Sequence, residues 1–100
     1  MDILFKNSRI KKSCNNARGR LKTRLDDISA AANMAIMKKL PGRLHPLKGV
    51  RKGEWAIDLE HPQRLILEPV AAPLPLSEDG WLDLEKISAI RILEIVDYHD

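Results

Sequence analysis

The spacing of the apolar residues changes near the middle of the chain, from that of a helix to that of a strand. Across residues 20–40 apolar side chains recur every three or four positions, which places them on one helical face. In residues 54–60 apolar side chains alternate with polar or small ones, as in a half-exposed strand. Pro41 and Gly42 separate the two patterns and predict the end of the helix. This combination predicts an α+β domain.

Shorter elements complete the predicted fold. In chain order they are a strand at residues 2–6, a short basic helix at 9–14 that Ser8 caps, a hairpin of strands at 54–59 and 64–68 around a turn at 60–63, and a strand at 90–96. The last strand is nearly all apolar and β-branched, which is typical of a central strand covered on both faces. We expect one or two N-terminal helices packed on one side of a small, mainly antiparallel sheet.

A long connection interrupts this sheet. Residues 69–89 contain three of the six prolines and the sequence Ser77-Glu78-Asp79-Gly80, which is typical of a loop. Residues 83–87 are expected to form one helical turn within it. Since 100 residues suffice for one hydrophobic core, we interpret residues 1–100 as a single domain.

Composition excludes several classes of protein. With 44% apolar and 31% charged residues, the chain has the composition of an ordinary folded domain. The sequence shows neither a signal-peptide core nor an apolar run long enough to span a membrane, so a cytoplasmic location is expected. Cys14 is the single cysteine. It predicts no disulfide, metal centre or redox chemistry, and the sequence indicates no cofactor.

Positive charge is concentrated in the first half of the chain. Residues 1–52 contain 14 Lys and Arg against three Asp, a net charge of +11, whereas residues 53–100 have a net charge of −8. A basic half of this kind favours a polyanionic partner such as RNA, because Lys and Arg neutralise phosphates. The alternative is an ordinary solvated helix surface.

The loop after Gly42 has the composition of a phosphate site. His45 precedes Pro46, which restricts its backbone to extended conformations and fixes the direction of the imidazole. Nearby cations could bind an anion together, and Lys48 and Arg51 are expected to be near enough to share one. The other cations of the loop are Arg43 and Lys52. The alternative is a solvated connector.

Two further segments contain candidate residues. Asp97, Tyr98 and His99 follow the last predicted strand. The sequence is equally compatible with a functional site there and with a frayed polar terminus. Arg64 begins the second strand of the hairpin, and either binds a substrate or pairs with Glu68 or Asp58. His61 lies in the hairpin turn and is expected at the surface.

Taken together, these segments resemble the toxins of HigB type in the RelE/ParE superfamily of toxin–antitoxin systems. The resemblance covers residue 40 to the C-terminus and rests on His45-Pro46-Leu47-Lys48-Gly49, Arg51-Lys52-Gly53, Arg64-Leu65 and Asp97-Tyr98-His99. Similar sequences are called plasmid maintenance killer proteins, and some are called killer suppression proteins, a name that suggests an antitoxin instead.

The resemblance implies a ribosome-dependent endoribonuclease that cleaves mRNA without a metal and is inhibited by a helix-turn-helix antitoxin. It assigns Lys48 and Arg64 to phosphate stabilisation and His99 to the general acid. His45 or Tyr98 would orient or deprotonate the 2′-hydroxyl, and Asp97 would position a neighbour. By the same resemblance, Arg43, Arg51 and Lys52 would bind RNA.

Two departures from the family pattern leave other functions open. Residues 69–89 are longer than the tight turn usual in these toxins, and residues 15–19 interrupt the N-terminal helical region. One alternative is a catalytically inactive protein of the same fold, either a suppressor or a gyrase-directed toxin. A DNA-binding antitoxin has little support because only one long helix is predicted.

Overall fold

A five-stranded sheet forms the centre of the fold in the computed structural model, which describes residues 1–97. The elements in chain order are β1 Asp2–Phe5, α1 Ser8–Asn15, α2 Gly19–Ala30, α3 Met34–Lys38, β2 His45–Pro46, β3 Trp55–Asp58, β4 Gln63–Pro69 and β5 Ala89–Asp97. Single 3₁₀ turns occur at Gly49–Arg51 and Leu84–Lys86. The second of these confirms the helical turn predicted within residues 83–87.

The sheet is mainly antiparallel, as predicted. Its strand order is β1-β5-β4-β3-β2, and only the pairing of β1 with β5 is parallel. The predicted hairpin is present, since β3 and β4 pair with Asp58 opposite Arg64. The short strand β2 was not predicted as a strand, although the extended backbone expected before Pro46 is what allows His45 to pair with Ala56.

The prediction of a single helix over residues 20–40 is wrong in one respect, because the structure has two helices there, α2 and α3. Ala31 has an extended backbone, with ψ of 138°. The N–H of Met34 donates to the carbonyl oxygen of Ile87 at 3.0 Å instead of continuing the ladder of α2. Asn33 then caps α3, since its side chain accepts from the N–H of Ile36 at 2.9 Å. The apolar period continues across the break and therefore conceals it.

The short basic helix was predicted correctly, but its cap was not. The side chain of Asn7, and not of Ser8, accepts a hydrogen bond from the N–H of Ile10 at 3.0 Å. Asn7 has the extended backbone that an N-cap requires, with φ of −158°. Since Ser8 lies inside α1, the helix begins one residue earlier than the cap signal indicated.

Strand β5 is interior, but it is not covered on both faces as predicted. Ile90 and Ile92 are fully buried, whereas Arg91 and Leu93 on the other face are only half-buried. The pairing with β4 shifts by one residue between Ile66 and Leu67. This bulge lets Ile95, three residues after Ile92, pack into the same core, and the apolar run therefore serves two faces.

The helices cover one face of the sheet. The main core joins residues of all three helices, such as Cys14, Ile28 and Met34, to Leu65 and Ile92 of the sheet. Burial raises the pKa of the Cys14 thiol. The opposite face, here called the open face, has a small apolar centre formed by Leu47, Ala56 and Ile66, with Leu93 and Val96 packed against it. Within residues 1–97, no helix has the length and apolar character needed to cross a membrane.

Gly42 is required where the chain turns from the helical region into the sheet. Its φ is 112°, and a Cβ there would lie 2.7 Å from Cγ2 of Ile57. The carbonyl oxygen of Gly42 also accepts from the N–H of Asp58 at 2.7 Å. The turn is therefore fixed against β3, and Arg43 and His45 follow it onto the open face.

Gly42→Ala is predicted to lower the free energy of unfolding by about 1–3 kcal/mol more than Gly80→Ala, because overpacking is added to the backbone cost. Gly80 is the matched control, since its φ is 85° but nothing lies within 4 Å of a Cβ there. Urea denaturation of both variants measures the difference. Equal destabilisation would contradict the close packing of the turn.

Candidate active site

Two of the predicted site residues, His45 and Arg64, share the open face of the sheet with Asp58. His45 on β2 is opposite Ala56 on β3, and Asp58, two residues further along β3, is opposite Arg64 on β4. Residues two apart on a strand face the same side, so the side chains of His45, Asp58 and Arg64 neighbour one another. The hairpin register thus brings together residues that are up to 19 positions apart in the sequence.

The Asp58 carboxylate lies between two guanidinium groups. Arg43 donates from Nε to Oδ2 at 2.8 Å and from its terminal nitrogen to Oδ1 at 3.3 Å. Arg64 Nε lies 3.1 Å from Oδ1. The alternative that pairs Arg64 with Asp58 is confirmed, while Glu68 pairs with Arg91. Because two guanidinium charges face one carboxylate charge, Arg43, Asp58 and Arg64 form a group of net positive charge, here called the Asp58 cluster.

The charges around Asp58 keep it ionised. Partial burial tends to raise the pKa of this carboxyl, but the hydrogen bond from Arg43 and the charges of Arg43, Arg64 and His45 outweigh that effect, and its pKa lies below the ordinary 3.8. Arg64 is the less exposed of the two arginines, with 14% of its side chain accessible against 59% for Arg43. The partly exposed carboxylate therefore fixes a largely buried cation on the open face.

The backbone before β2 sets the orientation of the His45 ring. Nδ1 lies 2.7 Å from the carbonyl oxygen of Arg43. Because a carbonyl oxygen can only accept, Nδ1 carries the proton in this contact and the neutral ring has its lone pair on Nε2. Arg43 has φ of 53°, a conformation that residues other than glycine adopt infrequently. This turn directs the carbonyl toward the imidazole.

Lys48 lies three residues after His45 and precedes the 3₁₀ turn Gly49–Arg51. Its side chain is exposed, and it forms no ion pair with any residue in the described part of the chain. An ammonium group on an exposed loop can move toward a bound anion with little structural cost. Lys52 is exposed in the same loop.

Arg51 is held by carboxylates of its own chain. Its guanidinium bonds to Glu54 at 2.7 Å and forms a very short contact with Glu94 of β5. The hydrogen bond to Glu94, then that to Glu54, raises the pKa of Arg51. These two ion pairs attach the loop to the sheet. The expectation that Arg51 shares a bound anion with Lys48 is therefore wrong, because the guanidinium of Arg51 is engaged by carboxylates.

Only part of the predicted C-terminal segment can be located. Asp97 is exposed at the end of β5, opposite Gln63. Tyr98 and His99 lie outside the described residues. The last described residues of β5 pair with the beginning of β4, since Val96 is opposite Arg64. Strand β5 therefore ends beside the Asp58 cluster.

A cleft of about 250 Å³ opens at the edge of this cluster. Asp58 and Arg64 line it together with Arg20, His61 and Gln63. His61 is exposed in the hairpin turn, as predicted. The cleft thus has three basic side chains around one carboxylate that is already paired. In residues 1–97 no three His, Cys, Asp or Glu side chains are grouped so as to hold a metal ion.

Asp58 is the member of this site to which sequence reasoning gave no functional role. The signal was present, because strand alternation places Asp58 on the polar face and the short hairpin turn places it opposite Arg64. The contact with Arg43 could not be predicted, since it depends on the left-handed turn at Gly42 and Arg43.

No protein-family model matches the chain, and no curated protein sequence matches it. Among solved structures, the chain is similar to the YoeB/ParE toxin from Agrobacterium tumefaciens, with a TM-score of 0.59 over 99% of this chain and 100% of that chain. The two sequences are 12% identical. The chain has a YoeB/ParE toxin fold.

This toxin fold agrees with the predicted RelE/ParE-like architecture. The similarity extends over 99% of this chain, so it concerns the arrangement of the sheet and helices together and not one local segment. At this identity the similarity concerns the fold and assigns no role to a side chain.

Asp58→Asn is predicted to be less stable than the wild type at neutral pH, with a difference that shrinks as the pH falls. Because the pKa of Asp58 in the folded state lies below 3.8, its stabilisation is present above that value and is lost as the pH falls through the folded-state pKa. Urea denaturation between about pH 7 and pH 2 measures this. Asp26→Asn, at an exposed pair with Lys22, is the control. A constant difference at every pH would contradict the ion-pair cluster.

Proposed function

We propose that this chain is the toxin of a toxin–antitoxin pair, of HigB type, and cleaves mRNA on the open face of its sheet. One observation carries the proposal: an imidazole with a fixed tautomer, His45, neighbours the Asp58 cluster and precedes the exposed ammonium of Lys48, which forms no ion pair within residues 1–97. A base beside several cations is what metal-free RNA cleavage requires. The YoeB/ParE toxin fold supports the assignment.

The reaction divides between proton transfer and charge stabilisation. The 2′-hydroxyl of the RNA attacks the adjacent phosphorus and gives its proton to Nε2 of His45. The P–O5′ bond breaks, and the departing oxygen takes a proton from a general acid, for which His99 is our candidate. The products are a 2′,3′-cyclic phosphate and a free 5′-hydroxyl, so atoms and protons balance.

The cations stabilise the crowded phosphorane. Arg64 supplies a guanidinium that Asp58 holds in place, and Lys48 supplies a mobile ammonium from the neighbouring loop. Preorganised charge of this kind is often the largest contribution to rate, because the donors need no reorganisation during the reaction. Asp97 and Tyr98 are proposed to complete the site at the end of β5, with Tyr98 the alternative to His45 as the base.

RNA outside the reacting phosphate would contact the remaining basic loop. Lys52 is exposed and Arg43 has 59% of its side chain accessible, so both can approach a phosphate backbone. Arg51 is proposed to act indirectly by holding this loop against β5. The proposal includes the ribosome as the place where mRNA is presented and a helix-turn-helix antitoxin as the inhibitor, both in the cytoplasm.

His45→Gln is predicted to lower the cleavage rate by about 10²- to 10⁴-fold, the usual contribution of a general base. The glutamine amide can still donate to the Arg43 carbonyl but cannot take a proton at neutral pH. Lys48→Ala should also lower the rate, while Lys86→Ala, at another exposed lysine, should not. The measurement is cleavage of mRNA in reconstituted translation. A rate unchanged in both site variants would exclude these residues from catalysis.

A catalytically inactive binding protein of the same fold is the second candidate, either a suppressor or a gyrase-directed toxin. The observation that favours it is the engagement of both Arg43 and Arg64 with Asp58, which is a stable structural arrangement without any substrate. Under this alternative, His45→Gln and Lys48→Ala leave growth inhibition unchanged. Intact mRNA in inhibited cells would support it.

Binding of single-stranded RNA is predicted to weaken as salt increases, with a log–log slope of about −0.7 for each phosphate neutralised. Lys52→Ala should reduce the magnitude of this slope by about 0.7, since it removes one exposed cation of the proposed RNA surface. Lys86→Ala serves as the control. Fluorescence anisotropy with a labelled oligonucleotide gives both slopes, and a response to salt that is flat would contradict RNA binding by this basic surface.

A further inference from the structure

The long connection between β4 and β5 is an ordered lobe, defined here as residues 70–83. Leu76 and Leu82 form an antiparallel bridge, and the N–H of Ser77 donates to the carbonyl of Trp81 at 2.7 Å. The N–H of Asp83 donates to the carbonyl of Pro75 at 2.9 Å. Leu82 packs against the main core and attaches the lobe to the domain. These contacts make the lobe a small hairpin with a fixed shape.

The lobe exposes large apolar side chains. Trp81 is 74% exposed, Leu76 is 61% exposed and Leu74 is 46% exposed. Half of the six exposed large apolar residues in the described chain therefore lie in this one segment. A fixed hairpin that holds a tryptophan in solvent has the character of a protein-binding surface, because tryptophan is frequent among residues that dominate binding energy.

The charge around these apolar residues is negative. Residues 70–86 contain four acidic residues and one cation, Lys86, although the chain as a whole has a charge of +3. Glu78, Asp79 and Glu85 are exposed, and Asp83 pairs with Lys86. Negative charge repels RNA phosphates and anionic lipids and attracts cations. The lobe is therefore suited to a polypeptide that combines apolar and basic side chains.

A second copy of this chain fits the lobe less well. The cations of this chain lie mainly in its first half, on α1 and α2 and in the loop that contains Arg43, Lys48, Arg51 and Lys52. Within residues 8–30 no large apolar side chain is exposed, and the other exposed ones of the basic half, Leu4, Ile36 and Val50, lie singly in three separate segments. The basic half therefore offers the charge but no group of apolar side chains to match Trp81, Leu76 and Leu74. An amphipathic helix of a partner, with apolar side chains on one face and basic side chains on the other, can make both kinds of contact with the lobe.

We propose that the lobe formed by residues 70–83 is a docking surface for a cationic amphipathic segment of a partner protein. Trp81, Leu76 and Leu74 contact the apolar side of that segment, and Glu78 and Asp79 pair with its basic side chains. The lobe contributes no residue to the Asp58 cluster or to the cleft beside it, and Leu82 attaches it to the core on the helical side of the sheet. The proposal does not depend on RNA cleavage. The partner can therefore bind while the open face of the sheet is accessible.

The probe is a synthetic helical peptide of roughly 18 residues with Leu on one face and Lys on the other, compared with a peptide in which Glu replaces every Lys. The wild-type chain should bind the Lys peptide and not the Glu peptide, as measured by fluorescence anisotropy. Binding should also shift the emission of Trp81 to shorter wavelength, while Trp55, which is only 9% exposed, contributes a constant signal. Equal binding of both peptides would overturn the proposal.

Two pairs of variants locate the binding surface. Trp81→Ala should weaken binding of the Lys peptide by about tenfold or more, whereas Leu4→Ala, at an exposed apolar residue of β1, should leave it unchanged. Glu78→Lys should weaken it by several-fold and Asp26→Lys should not. Thermal unfolding checks that each variant is folded. Wild-type affinity in both lobe variants, or self-association that requires Trp81 without peptide binding, would overturn the proposal.

Discussion

The ion-pair cluster around Asp58 is the interaction on which the open face depends. Its carboxylate joins a residue of the turn before β2, Arg43, to a residue of β4, Arg64. The same turn supplies the carbonyl that orients His45. Three segments of the chain are therefore aligned by one carboxylate, and its charge is maintained because the cations around it lower its pKa. Removing this charge would leave Arg64, a largely buried cation, with less compensation.

The two faces of the sheet have different physical roles. The helices bury one face, where Leu65, Leu67 and Ile92 form part of a continuous core. The other face buries little more than Ala56 and Ile66 and has its charged residues around that small apolar centre. A polar face can remain uncovered only because the helical face supplies the hydrophobic stabilisation of the domain. That separation leaves a surface on which charged residues can meet a polyanion.

The sequence predicted the class of fold and most strands, because the change in apolar spacing and the hairpin turn are local signals. It did not predict the break before Asn33 or the bulge in β5, since both depend on contacts with distant residues such as Ile87 and Leu67. For the site, local patterns selected His45, Lys48 and Arg64, but the role of Asp58 required the register of the hairpin and the turn at Gly42. Arg51 was placed with Lys48 by sequence proximity, whereas carboxylates on β5 and in its own loop determine its position.

In the proposed reaction, His45 and the cations of the open face direct attack by a 2′-hydroxyl on RNA. The most direct measurement is the chemistry of the ends produced when the purified chain and ribosomes act on an mRNA of defined sequence. The proposed reaction gives a 2′,3′-cyclic phosphate and a 5′-hydroxyl, and no cleavage is expected when the nucleotide before the cut is replaced by its 2′-deoxy form. Cleavage of the deoxy substrate, or a 5′-phosphate on the downstream product, would contradict it.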